Sequence, residues 1–491
     1  MSKFAPLTSG AYTATDVIAN AQRCVNLYPE ANPPETQPAA PVTHYPTPGL
    51  VLKCTGAAAQ VRCLYKATNG DGYAVIGSNV YFITQSFALT LVGTITNGSS
   101  TCYMADNGQV IVLVDGTANG YAIDMGAMTF GHITSTVDAF YGADRVDYLD
   151  TYFIFNRPGT NQFYISLSNV SYTLLTTGAG FDALDIAAKT GSADPIVTII
   201  VMHKELWLIG SLTTEIWYNS GAADFTFQQL PGAYIEHGCV APYSIAAQDL
   251  NVYWLEQDRQ GQRIVVRGAN YAAERISTHA LEAAMATYPT VVDAVGYTFQ
   301  QRGHIFYRLT FPSGNATWGF DELTQQWHQL AYTDGDGNLN RHRTNTGAAI
   351  YGFNLAGDWE TGSIYSLSAT TYTDNSQPIS RIRSWPHSLG NLARVSYKGF
   401  IADMSTGNDD GTIDGSTYAA PPQVSLCWSD DRGVTFGNKL QQSLGAAGQY
   451  KTVLQWSRLG LARDRVFEVS WSAPTKTALN GAYVDAQLLG S

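Results

Sequence analysis

One kind of short segment comes back seven times along the chain: VYFIT (80–84), YAID (121–124), FYIS (163–166), IWYN (216–219), IVVR (264–267), TWGFD (317–321) and IYSL (364–367). Their starts lie 41, 42, 53, 48, 53 and 47 residues apart. Each belongs to a loose unit: an apolar-alternating strand, a Gly/Asn/Asp turn, a second strand represented by these segments, then a Phe or Trp and a closing apolar residue. Such a period suits propeller blades of four short strands, whereas a helical solenoid would carry a 3.6-residue apolar period. Seven blades are expected, or six if the first unit belongs with the segment before it. A chain of 491 residues is too long for one ordinary core, and Gly 46, Tyr 29, Phe 19 and Trp 10 with 14% charged residues describe short apolar strands joined by polar turns. The fold class is all-β.

The flanks differ from the repeat. Residues 29–48 hold seven prolines in twenty positions, which excludes a helix or a central strand, so 1–50 is expected to be an extended arm on the surface. The propeller is assigned to 51–375. Around 370–385 the repeat gives out, and in RVFEVSWSAP the residues Phe467, Val469 and Trp471 alternate with Glu468, Ser470 and Ser472, the pattern of a small β-sandwich over 376–491. One segment reads as helix, RISTHALEAAMATYP, with Ser277 as N-cap, Ile276 and Leu281 at staple positions, a stripe of Leu281, Met285 and Tyr288, and Pro289 as the stop. It is expected to pack on the propeller rim.

Chemistry is sparse. In CWSDDRGVTFG the residues Ser429, Asp431, Gly433, Thr435 and Phe436 fit S-x-D-x-G-x-T-F, the Asp-box pattern best known from sialidase propellers. The spacing supplies a hairpin staple: Asp431 accepts turn N–H groups, Gly433 permits positive φ, and Phe436 is expected to return to the core. It contains no nucleophile, acid or base, and a sialidase would further need converging arginines, for which Arg145, Arg157, Arg263, Arg267, Arg302 and Arg308 are the propeller's stock. A glycan-binding or sialidase-like propeller is therefore the alternative reading. TDGDGNLNRH (333–342) begins like a calcium loop but places Leu339 where Gly is needed and Asn345 where a bidentate Glu is needed, so it reads as a polar turn, as does NDDGTIDG (408–415). Nine scattered histidines, no H-E-x-x-H, no phosphate loop and no nucleophile elbow leave no catalytic constellation; neither a metal nor a cofactor is expected. The six cysteines form no C-x-x-C pair and read as buried free thiols of a reduced compartment. The opening residues have no apolar h-region, and IVTIIVM (196–202) is too short to span a bilayer, so the chain reads as soluble and without an export address. A net charge of −12 argues against holding nucleic acid by its phosphates.

NAQRCVNLYPE (20–30), TPGL (47–50), IWYNSGAADFTFQQLPGAYIEHGCVAPYSIA (216–246), RISTHALE (275–282), CWSDDRGVTFG (427–437) and the stretch 443–474 together resemble the packaged-DNA stabilisation proteins of short-tailed bacteriophages, the tail-hub or head-completion subunits. That resemblance covers nearly the whole chain. It implies a structural, non-enzymatic virion protein, made in the infected bacterial cytoplasm and located in the tail at the head–tail junction. It implies a ring, six copies, beneath the portal and adaptor proteins, closing the DNA exit with a tail needle and carrying tail fibres or spikes. Double-stranded DNA would pass without sequence-specific binding, helped by acidic walls. In such a protein WSRLGLARDRVFE (456–468) is expected to be a loop between sandwich strands. There Arg458, Arg463 and Arg465 would rim an apolar centre of Leu459 and Leu461 and dock on an acidic neighbour, unless each arginine merely pairs with Asp464 or Glu468.

Overall fold

Strand Asn251–Gln257 is apolar on both faces: Val252 and Trp254 pack with Ile200, Trp207 and Ile216 of the sheet before it, while Tyr253 and Leu255 pack with Tyr307, Leu309 and Phe320 of the sheet after it. A sheet buried on both faces needs a neighbour on each side. The computed structural model, which describes residues 5–6, 13–33, 41–96, 98–389, 392–408, 412–413, 416–417 and 421–489, meets that need with a ring of antiparallel blades. Six blades are built from continuous chain. Their first strands are Val61–Lys66, Tyr103–Asp106, Val146–Leu149, Ile196–Met202, Ala246–Gln248 and Val295–Gln301, and their fourth strands are Leu89–Thr94, Thr129–His132, Ile186–Ala188, Phe227–Ile235, Ala272–Arg275 and Gln326–Thr333.

The seventh blade is composite. Thr344–Ile350, Phe353–Asp358 and Ser363–Ser368 are joined by Gly49–Thr55, a strand that precedes the first blade, with Ser368 opposite Gly49 and Ser363 opposite Thr55. The ring is thus closed by hydrogen bonds between its two ends. Seven apolar clusters fill the seven blade interfaces; the one that closes the circle joins Val61, Ala74 and Ile83 of the first blade to Ile350, Leu355 and Ile364 of the seventh. The seven sequence segments each fall in a different blade, and in every case in its third strand rather than its second. Seven is the blade number.

The proline-rich arm is a correction. Leu27–Ala31 and Val42–Pro46 pair as a hairpin, with Pro29 opposite His44, and Leu27 and Tyr28 are buried. Pro29 is tolerated because its strand is the edge of its sheet, where a missing N–H costs no ladder bond. That sheet runs Leu27–Ala31, Val42–Pro46, Leu479–Leu488, Val395–Met404, Leu454–Ala462 and forms one half of the C-terminal sandwich. The facing sheet contains Arg381–Ser384, Asp464–Trp471, Gln423–Ser429 and Leu440–Ser443, and Leu426, Phe467, Val469 and Trp471 meet Phe400 and Trp456 in the core between them.

Propeller and sandwich share this second sheet. The two-residue strand Cys24–Val25 lies between Gln326–Thr333 of the sixth blade, where Val25 pairs parallel with Gln329, and Arg381–Ser384, where it pairs antiparallel with Ile382. Asn26 follows at φ 55° with its side chain buried. Its Nδ2 donates to Ala331 O (2.9 Å) on the propeller side and Ser380 O (2.8 Å) on the sandwich side, and its Oδ1 accepts from Ala331 N (2.9 Å). Asn is suited to this position because it tolerates the left-handed region and offers donor and acceptor on one short side chain.

The helix His279–Ala286 packs Leu281 and Met285 between the fifth and sixth blades, but Thr278 caps it, accepting from Leu281 N (3.3 Å). Ser277 is not free to cap because its hydroxyl accepts from Val265 N (3.0 Å) and donates to Glu282 (2.6 Å). A second, shorter helix, Tyr172–Thr177, was not legible. IVTIIVM is the first strand of the fourth blade.

Asn26→Ala is expected to lower stability by about 2–4 kcal/mol, since it strands buried groups on both domains, and to split calorimetric unfolding into separate propeller and sandwich transitions. One transition at the parental temperature would show that the bridge is dispensable.

Candidate assembly surface

In Gln423–Ser429 the side chains of Val424 and Leu426 enter the sandwich core, and at Ser429 the chain leaves the sheet. Ser429 Oγ donates to Asp431 Oδ1 (2.6 Å) and accepts from Gly433 N (2.7 Å). Asp431 also accepts from Thr435 N (2.9 Å) and Thr435 Oγ1 (2.6 Å). The hydrogen bonds from Ser429 and Thr435 hold the Asp431 carboxyl down at about 2. Arg432 (φ 65°) and Gly433 (φ 90°) make the reversal, and a Cβ at 433 would stand 2.8 Å from that of Ala21, so the turn is seated on the same N-terminal segment that joins the domains. Phe436 departs from expectation: it is half-buried and outside the sandwich core. That end of the sandwich is already filled by Trp428 and by the Arg465 guanidinium, 5.0 Å from its ring.

Residues 456–468 are not a loop. Leu454–Ala462 and Asp464–Trp471 are strands of opposite sheets, joined at Arg463. A register shift opposite Tyr397–Gly399 and a positive φ at Arg458 interrupt the alternation, so the inward residues are Trp456 and then Leu459, three positions on. Leu459 is therefore core. Arg465 is buried too: it forms a two-pronged pair with Asp430 (2.6 and 2.8 Å), donates to Leu459 O (2.7 Å) and lies 4.5 Å from the Tyr397 ring. Both are removed from the expected contact, and Arg465 is a structural pin between the Asp-box turn and the sandwich core. Arg458, Leu461 (54% exposed) and Arg463 remain on the surface, where Arg463 touches only the carbonyl of Leu392 at 2.7 Å among its hydrogen bonds. Asp464 is engaged by His387 (2.8 Å) and Arg432 (3.5 Å), and Glu468 by Arg23 (3.6 Å), so neither neutralises this surface pair of arginines.

The six propeller arginines singled out from the sequence do not converge. Arg157 donates to Gln162, Arg263 to Met285 O and Tyr288 O, Arg267 to Glu274 and Glu322, Arg302 to Ala369 O, Arg308 to Tyr297 and Thr344, and Arg145 faces the ring axis. Asp334 spends its carboxylate on its own turn, accepting from Asp336 N, Asn338 N and Asn340 Nδ2. Among the described residues no group of three His, Cys, Asp or Glu side chains could hold a metal. Most of 408–415 lies outside the described residues.

Two family models match. Residues 4–372 match the one described as Bacteriophage P22 Gp10, beta-propeller, and residues 391–487 the one described as Bacteriophage P22 Gp10, beta-sandwich. The chain belongs to this family. It is accordingly a structural protein of a short-tailed phage, of the tail or head-completion type, with a propeller followed by a sandwich. No curated protein matches it. Among solved structures, the extracellular domain of a B. thetaiotaomicron protein, described in one structure as a hybrid two component system and in another as a one component system, is similar at 10% identity and a TM-score of 0.43. The match covers 65% of this chain and only 40% of that one, and it is too slight to bear on function.

Two outcomes follow for this surface. Arg465→Glu is expected to cost about 2–4 kcal/mol, below the range for a fully buried pair because the Asp430 carboxylate is 46% exposed, whereas Arg463→Glu leaves the melting temperature within a degree or so of the parent; equal losses would contradict the assignment of Arg465 as pin and Arg463 as free surface. The Asp431 carboxyl, depressed in the folded turn relative to its ordinary 3.8, supports the turn fully above pH 4 and ceases to do so as pH falls through about 2. Amide exchange at Thr435 should accelerate across that window, and Asp431→Ala should abolish the change.

Proposed function

We propose that the chain assembles as a ring, six copies by its family resemblance, beneath the portal and adaptor proteins, where it closes the DNA exit channel and stabilises the packaged genome. It would meet a tail needle at the axis and carry tail fibres or spikes, in a virion tail built in the host cytoplasm. The supporting observation is membership of the P22 Gp10 family over both domains. A ring needs two different patches per subunit, since its contacts are heterologous and closed. The sandwich edge bearing Arg458, Leu461 and Arg463 is proposed as one of them: two cations that form no ion pair among the described residues lie either side of an exposed leucine on a protein of net charge −12, a favourable match for an acidic neighbouring copy. The role is structural rather than catalytic, the arginines and carboxylates of the propeller being engaged in separate local contacts. The same acidic balance would discourage a passing genome from adhering to channel walls.

The test is complementation of a phage lacking this gene with Arg458→Glu plus Arg463→Glu. Filled heads that subsequently lose DNA, from a protein that melts like the parent, are the expected result. Normal plaque yield would remove this edge from the assembly, and antibody label on virions at fibre tips instead of the head–tail junction would remove the hub reading itself.

A further inference from the structure

Among the described residues, His237, His279, His304 and His387 meet carboxylates. Three buried histidines do not, and they stand around the strand that joins the domains: His44, His328 and His342. His328 precedes Gln329, the partner of Val25, on the sixth blade. His342 follows Arg341, which pairs with Ala331, the residue whose N–H and C=O both bond to Asn26. His44 lies in the sandwich hairpin opposite Leu479 and faces Arg383, the partner of Cys24. Each ring depends on staying neutral. His342 Nδ1 accepts from Thr344 N (3.2 Å) and Arg308 Nη1 (3.3 Å), so a proton there would meet two donors, one of them a cation. His328 Nδ1 and His44 Nε2 are buried without a partner. His328 shares with Arg308 and Tyr28 a cavity of about 10 Å³, room for one water at most, and the larger cavity that it also lines adds only Arg23 and Cys24 as ionisable groups.

The carboxyls nearby give these rings no relief. Glu30, the hairpin's carboxylate, turns to the face opposite His44 and meets His304 (3.8 Å). Asp358 and Glu360 are held by Arg343 (2.9 and 2.6 Å). Asp374, near Arg381, Arg308 and Arg343, is pushed by burial up to about 7, so it gives up its charge in the range where free imidazoles gain theirs. We propose that the joint is a proton-sensitive latch: it holds while His44, His328 and His342 are neutral, and their protonation parts the sandwich from the sixth blade. Burial, with Arg383 facing one ring and Arg308 the other, pushes His44 and His328 from 6.5 down to about 3, and burial with Arg308 and Arg343 holds His342 well below its ordinary value. Once parted, the rings meet water and titrate near 6.5, so the latch is at full strength above that pH and weakens as pH falls towards 3. The bridge is the element that yields, being two residues long with one pair on the propeller side. This device is independent of the assembly surface on the sandwich.

Hydrogen exchange of the full chain near neutrality and two pH units below it, corrected for the intrinsic pH dependence of the rate, tests the latch. The amides of Asn26 and Ala331, which bond across the joint, are expected to lose protection by about tenfold or more, while those of the central strand Val110–Val114 of the second blade keep theirs. His44→Gln, His328→Gln and His342→Gln, neutral at every pH, should each shrink the loss and together abolish it; should the triple variant fail to fold, the single ones decide. Joint protection that is unchanged in acid, an equal loss in the second blade, or a loss undiminished by the substitutions would overturn the proposal.

Discussion

The structure depends on residues 24–55 being shared between two cores. Cys24–Val25 is the strand that makes the sixth blade and the sandwich one sheet, and Asn26 bonds to both sides of it. The hairpin of Leu27–Ala31 and Val42–Pro46 then supplies the sandwich edge, and Gly49–Thr55 crosses back to close the propeller. A propeller closed in this way pays the closure entropy of more than three hundred intervening residues once, and every blade interface benefits. Neither domain is complete without this segment.

The residues just before this segment help to neutralise the charges of the junction. Arg381 and Arg383 lie fully buried in the shared sheet, where Arg381 donates to Ala473 O and Tyr372 O, and Arg383 to Ser384 O, Arg23 O and Gln22. Carbonyls at strand ends, together with the N-terminal residues themselves, stand in for water around these cations. Ser384 Oγ donates to Ala21 O and accepts from Arg23 N, and the Asp-box turn rests against Ala21. Turn, N-terminus and propeller are therefore one mechanical unit. Such a joint resists hinge motion between the propeller and the sandwich.

Local chemistry was legible and long-range placement was not, and the 456–468 segment shows the boundary. Its charges were visible, but Arg458 takes a left-handed conformation at a register shift, which moves Leu459 inward, and Asp430, at the start of the Asp-box turn, captures Arg465. The helix cap slipped by one residue for a similar reason: Ser277 was claimed by Val265 N of the fifth blade. The proline count of 29–48 argued against any central strand there, yet Val42–Pro46 lies between Leu27–Ala31 and Leu479–Leu488, with its one proline at the strand end and its pairing to the latter made at His44 opposite Leu479.

The sequence alone determined the β class, the seven blade-forming repeats and the Asp-box turn, because each rests on alternation or on hydrogen bonds spanning a few residues. The family was readable from the same stretches. Ring closure by Gly49–Thr55 on Ser363–Ser368, the insertion of Cys24–Val25 between domains, the burial of Arg465 and the meeting of six blades around Arg145 belong to the tertiary structure. These are contacts between residues up to several hundred positions apart. No local pattern encodes them, since whether a side chain is buried, paired or left without a partner depends on what distant elements bring to it.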